Sequence, residues 1–152
     1  MIETRLAAFK VERRTVAAAV FAGEHLEYAQ LRQLASDSRK AESSAVGFAQ
    51  WITDTLGIEV VALERVNQEP VSQRRTLTEA IVRSLGEEGI VAWRVQKIDL
   101  LSAYGIPALK TRQELRAIVH AFWPIVPAAS IHGSTLDAAA LGLYVQIQRA
   151  LA

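Results

Sequence analysis

The sequence predicts a single α/β domain over residues 1–152: a five-stranded mixed sheet, with an antiparallel three-strand meander followed by two parallel strands and helices on both faces. Three observations carry this. The first 34 residues hold three apolar, alternating runs joined by short polar turns, the pattern of a meander. After residue 42, segments with helical apolar spacing alternate with short β-branched runs, the pattern of β-α-β crossovers. One run, Ile58-Glu-Val-Val-Ala-Leu-Glu-Arg-Val66, is apolar on both faces for most of its length, as a strand covered from both sides must be.

In chain order, Leu6–Val11 reads as the first strand and Glu12-Arg13-Arg14 as a polar turn. Thr15–Ala22 reads as the second strand. Its Ala17-Ala18-Ala19 segment would also suit a helix, but length and neighbours favour a strand. Gly23-Glu24 turns the chain into a third strand, His25–Leu34. Glu42–Leu56 places Ala45, Phe48, Ala49, Ile52 and Leu56 at helical spacing, with Ser43 or Ser44 as cap and Gly57 just past the end. The run Ile58–Val66 follows. Gln73–Leu85 is the second helix: Thr76-Leu-Thr-Glu79 has the capping-box pattern, and Leu77, Ala80, Ile81 and Leu85 share a face. Ile90–Val95 is the fifth strand. Residues 96–109 are mixed and end at Gly105-Ile-Pro107. Thr111-Arg-Gln-Glu114 opens a helix carrying Leu115, Ile118, Val119 and Phe122 that Pro124 stops. Pro127–Gly133 reads as loop. Ser134 or Thr135 then caps a last helix from Leu136 to about Leu151.

Composition narrows the classes. Of 152 residues, 51% are hydrophobic and 22% charged, which suits a packed domain and not a disordered chain. Seventeen basic residues against 16 acidic ones leave a net charge of +1, so any nucleic-acid footprint must be a local patch. With no cysteine there is no disulfide and no thiolate metal site. The first residues lack the pattern of a signal peptide and no apolar run is long enough to span a bilayer, so a cytoplasmic location is expected. There is no glycine-rich phosphate loop, no Ser-His-Asp arrangement and no zinc pattern.

Two carboxylates stand out. Strand alternation puts Glu64 on the face of Val60 and Ala62, at the exit of a buried strand. A carboxylate there is costly without a partner, a hydrogen bond or a metal; an ion pair with Arg65 or another surface cation is the plain alternative. Asp137 falls in the expected first turn of the last helix, where the helix dipole alone would favour it.

Taken with the strand order, three segments resemble the ribonuclease H-like fold and, more closely, its RuvC-type Holliday-junction resolvase branch. Val60-Val-Ala-Leu-Glu-Arg-Val66 is similar to that family's fourth strand with its acidic residue. Lys97–Leu115 is similar to the stretch after its fifth strand, where a glycine-containing loop precedes a lysine-bearing helix start. Ser134-Thr-Leu-Asp-Ala-Ala-Ala-Leu-Gly-Leu143 is similar to its final helix. The likeness spans nearly the whole chain in order and spacing, though no single motif is specific.

The resemblance implies clustered carboxylates that bind two Mg²⁺ or Mn²⁺ ions and hydrolyse a phosphodiester. Glu64 and Asp137 match two ligand positions. It also implies an Asp at the end of the first strand, where this sequence has Lys10, on one face with Leu6 and Ala8. Glu12 is the nearest acid and substitutes only if the turn is shortened. Lys10 would repel a metal and pair with Glu64 or Asp137 instead.

Two readings therefore stay open. One is a RuvC-like, metal-dependent endonuclease acting on branched or structured nucleic acid, with Glu64, Asp137 and Glu12 catalytic. The other is a catalytically inactive member that binds nucleic acid or a protein. The candidate phosphate contacts are Arg13, Arg14, Arg74, Arg75, Lys110 and Arg112. His132 reads as a loop histidine, with a contact to the Asp137 site as the alternative; His25 and His120 read as surface or helix-edge residues. Trp51, Trp93 and Trp123 read as core or interface. The apolar run Phe122–Pro127 reads either as a cover for the sheet or as a homodimer contact.

Overall fold

The computed structural model describes residues 4–23, 25–66, 69–104 and 133–151. The expected helix beginning at Thr111, Lys110, Arg112, His120, Trp123, the Phe122–Pro127 run and His132 lie outside these residues.

Five strands form one mixed sheet in the order β3-β2-β1-β4-β5: β1 (Arg5–Val11), β2 (Thr15–Ala22), β3 (His25–Gln33), β4 (Val60–Glu64) and β5 (Val91–Val95). β1–β2 and β2–β3 are antiparallel, while β1–β4 and β4–β5 are parallel. The sheet is thus the meander plus two parallel strands that the sequence predicts. The alanine run at Ala17–Ala19 is strand, fully buried in the sheet's interior.

Helices cover both faces. On one side, α1 (Ser38–Leu56) and α2 (Gln73–Glu87) pack Phe48, Ile52, Leu77, Ile81 and Leu85 on Ala7, Phe9, Val16, Val61 and Leu63. Phe9 and Phe48 meet edge to face with centroids 6.4 Å apart. On the other side lie α3 (Lys97–Ala103) and α4 (Gly133–Leu151), the latter laying Ala138, Ala139, Leu141 and Val145 on Leu6, Ala8, Ala19, Phe21 and Ala62. Small residues on both surfaces let α4 come very close to the sheet. A Cβ at Gly142 would stand 2.4 Å from Phe21 Cε2 and 3.2 Å from Ala8 Cβ.

Helix starts differ from expectation. α1 is capped by Asp37, which accepts from the backbone N–H of Arg39 and of Lys40 at 3.0 and 3.1 Å, not by Ser43 or Ser44. α2 is capped by Ser72, which accepts from the Arg75 N–H at 3.2 Å, and Thr76 lies inside the helix. In both cases apolar spacing marks where the buried face begins, and a polar turn precedes it. α4 already runs from Gly133, so Asp137 sits one turn in and not in the first turn. Gly57 ends α1 as expected, in the left-handed region at φ 63°. β4 is shorter than the run Ile58–Val66. Residues 97–103, expected to be mixed, are helical.

Candidate metal and nucleic-acid site

The site grows out of one register. β1 and β4 are parallel, with Phe9 opposite Leu63, so the next residues on each, Lys10 and Glu64, are neighbours at the C-terminal edge of the sheet. Both follow side chains of the α4 face: Leu6 and Ala8 in β1, Val60 and Ala62 in β4. Lys10 is 3% exposed in a strand that is otherwise apolar from Leu6 to Val11. Its Nζ lies 2.6 Å from Glu64 Oε1.

Arg74, in the first turn of α2, completes the pairing. Its guanidinium donates to Glu64 Oε2, to Glu69 Oε2 at 2.6 Å and, through Nε, to the Val11 carbonyl at 3.1 Å. Lys10, Arg74, Glu64 and Glu69 therefore form a network of two cations and two carboxylates. The other carboxylates of the expected site meet α4. Glu12, just past β1, accepts a 2.7 Å hydrogen bond from the Ser134 hydroxyl. Asp137 is buried, three residues further along and hence on the same side of the helix.

These residues do not fit a divalent ion at Glu64. Such an ion needs lone pairs on carboxylate oxygens, and each Glu64 oxygen already accepts from a cation of the chain. A dication about 4 Å from the Lys10 ammonium would be repelled by roughly 8 kcal/mol at an effective dielectric near 20, twice the unit-charge value. Among the described residues no group of three or more His, Asp or Glu side chains is placed to hold a metal.

The candidate phosphate contacts divide. Arg13 and Arg14 are exposed at the β1–β2 turn. Arg74 is spent on Glu64, Glu69 and Val11, and Arg75 on the Glu69 carbonyl at 2.6 Å and on Glu79 at 3.5 Å. His25 is exposed at the start of β3. Trp51 is 48% exposed on α1, while Trp93 packs on the α4-side core.

A cleft of about 440 Å³ opens beside the network. Lys10, Glu64, Glu69 and Arg74 line it, and so do Arg65 and Lys97. Both of the latter are exposed, and neither makes an ion pair among the described residues. Sequence reasoning did not single them out as nucleic-acid contacts. The signal for them is positional: Arg65 directly follows β4 and Lys97 stands two residues past β5, at the C-terminal ends of parallel strands, where open α/β sheets place their ligand crevices.

No protein-family model matches the sequence, and no curated protein does. Solved structures match across nearly the whole chain. Thermus thermophilus RuvC is similar with a TM-score of 0.77 at 14% identity, over 97% of this chain and 96% of that one. The T. thermophilus RuvC complex with a Holliday junction substrate gives 0.76 at 13%, with the same coverage. The yeast mitochondrial Holliday junction resolvase Ydc2 gives 0.63 at 10%, over 96% of this chain and 82% of that one. At these identities the likeness is one of architecture, and with the strand order and the helices on both faces it assigns this chain the ribonuclease H-like fold of the RuvC type.

Proposed function

We propose that this protein is a ribonuclease H-like domain that binds branched nucleic acid, DNA above all, without hydrolysing it. The carrying observation is the pairing of both Glu64 oxygens with the chain's own cations, Lys10 and Arg74. An ammonium tethered to β1 neutralises the carboxylate that a resolvase of this fold would offer to Mg²⁺ or Mn²⁺. The substrate class is carried over from the similar structure that holds a Holliday junction.

A second reading has one observation in its favour. Glu12 accepts a hydrogen bond from Ser134, which lies one helical turn before Asp137, so a carboxylate from the end of β1 meets the part of α4 that carries Asp137. Under that reading the protein is a Mg²⁺- or Mn²⁺-dependent endonuclease whose site uses Glu12 and Asp137 beside Glu64.

The test is a cleavage assay on four-way junction, flap and RNA–DNA hybrid substrates with Mg²⁺ or Mn²⁺, alongside Asp137→Asn and Glu64→Gln. The expected result is junction binding without cleavage, and no carboxylate-dependent heat on calorimetric titration with Mn²⁺. Cleavage by the wild type that both substitutions abolish would replace this reading with the second.

A further inference from the structure

We infer that the cleft beside Glu64 holds a nucleic-acid phosphodiester without any divalent ion, through the side chains of Arg65 and Lys97. The inference rests on the proposed function and names the residues that would carry it.

The argument is one of charge placement. Among the described residues four cations line the cleft, Lys10, Arg65, Arg74 and Lys97, against two carboxylates, Glu64 and Glu69. Lys10 and Arg74 are bound to those carboxylates, so the inner wall is an internally neutralised network. The surplus of two positive charges belongs to Arg65 and Lys97. They lie on neighbouring parallel strand ends, since Glu64 pairs with Val95 and each cation follows shortly after. The backbone ties them further: the Arg65 N–H donates to the Val95 carbonyl at 2.7 Å, fixing the spacing of the two strand exits. Lys97 opens α3, anchored by Leu100 and Leu101 in the core, so its backbone is held as well.

A resolvase-type metal site would bring a phosphate to Glu64 through metal ions. Here the carboxylate is already charge-balanced, and an approaching phosphate meets two cations that have no carboxylate partner among the described residues. Phosphate contacts of this kind position a duplex without reading its sequence and release counterions on binding. Binding is therefore independent of divalent metal and steeply dependent on salt.

The experiment measures binding of a fluorescently labelled immobile four-way DNA junction in EDTA by anisotropy, over a series of monovalent salt concentrations. The proteins are the wild type, Arg65→Ala/Lys97→Ala, and Arg94→Ala, which removes an exposed cation of β5 outside this cleft. The wild type is expected to bind in EDTA. The double variant is expected to bind at least tenfold more weakly and to lose about 2 from the slope of log K against log salt, near 0.9 for each phosphate contact. Arg94→Ala should change the affinity less than threefold. An unchanged slope in the double variant, an equal loss in Arg94→Ala, or wild-type binding that requires Mg²⁺ would each overturn the inference. The first two outcomes leave the proposed function standing, because the junction is still bound. Metal-dependent cleavage in the assay above would remove the proposed function and leave this contact measurable by the EDTA titration. Absence of junction binding by the wild type would overturn both and direct attention to a protein partner.

Discussion

Replacing Lys10 and Glu64 singly and together tests whether the pair holds the edge of the sheet. Lys10 is 3% exposed, the Glu64 side chain is 12% exposed, and the two charged atoms are 2.6 Å apart. Glu64→Gln removes the carboxylate from two cations at once, and an uncompensated buried charge costs about 3–5 kcal/mol. Lys10→Met keeps most of the side-chain volume and leaves Glu64 bonded to Arg74, so the loss is that of one charged hydrogen bond, about 1.5–3 kcal/mol. The double variant has no orphaned ammonium. It should cost about 1–3 kcal/mol, well below the sum of the singles, giving a coupling of about 3.5–5 kcal/mol. Chemical denaturation measures all four corners, provided the m-values agree. For a chain of this size the Glu64→Gln loss corresponds to a fall in Tm of roughly 6–20 °C. Additivity within about 0.5 kcal/mol would refute the reasoning, since it would mean that the two charges do not feel each other despite their distance.

Four further outcomes are expected. Lys10→Asp exchanges the ammonium for a carboxylate on the face of Glu64, so Mn²⁺ should raise the Tm of this variant and leave the wild type unmoved; equal shifts in both would show that Lys10 does not exclude the ion. Gly142→Ala gains about 1 kcal/mol of helix propensity but drives a methyl to 2.4 Å from the ring of Phe21, which is fully buried and has nowhere to go; overpacking of about 2–3 kcal/mol leaves a net loss of about 1–2 kcal/mol, read as a lower denaturation midpoint. Burial raises the pKa of the Tyr104 phenol, whose hydroxyl donates to the Ala140 carbonyl at 2.7 Å; because the unfolded phenol loses its proton near pH 10 while the folded one keeps it, stability falls above that pH by up to about 1.4 kcal/mol per unit. Tyr104→Phe should remove this part of the alkaline slope in pH-dependent denaturation, and an identical slope would show that the phenol does not contribute. Asp37→Ala should cost about 1 kcal/mol as the loss of a helix cap, whereas Ser43→Ala, inside α1, should be close to neutral in the same measurement.

Much of the fold was legible because burial writes a period into the chain. β1 and β2 are apolar on both faces as central strands must be, β3 alternates because it is an edge, and the faces of α1 and α2 repeat at helical spacing. What the period does not show is where a helix starts. Ser43 and Thr76 match cap chemistry locally, yet the chain reaches Asp37 and Ser72 first, and a polar turn of helix costs nothing that apolar spacing would record.

The site was legible in the same partial way, and the difference lies in register. Alternation alone puts Lys10 on the face of Leu6 and Ala8, and Glu64 on that of Val60 and Ala62. Only the pairing of Phe9 with Leu63 makes these two faces meet at the same height in the sheet. Arg74 illustrates the complementary blindness. Seen locally it is an arginine at a helix start, suited to a phosphate. In the fold its nitrogens reach Glu64, Glu69 and the Val11 carbonyl, residues 10, 5 and 63 positions away. A strand buried on both faces admits a charge only if another element brings the opposite charge to it. Lys10 in β1 therefore implies an acidic partner, and of the two that the sequence offers, Glu64 and Asp137, the register brings Glu64 to it. The partner is Glu64, the carboxylate that the resemblance to RuvC-type resolvases sets at a metal position, and on that pairing the proposed function rests.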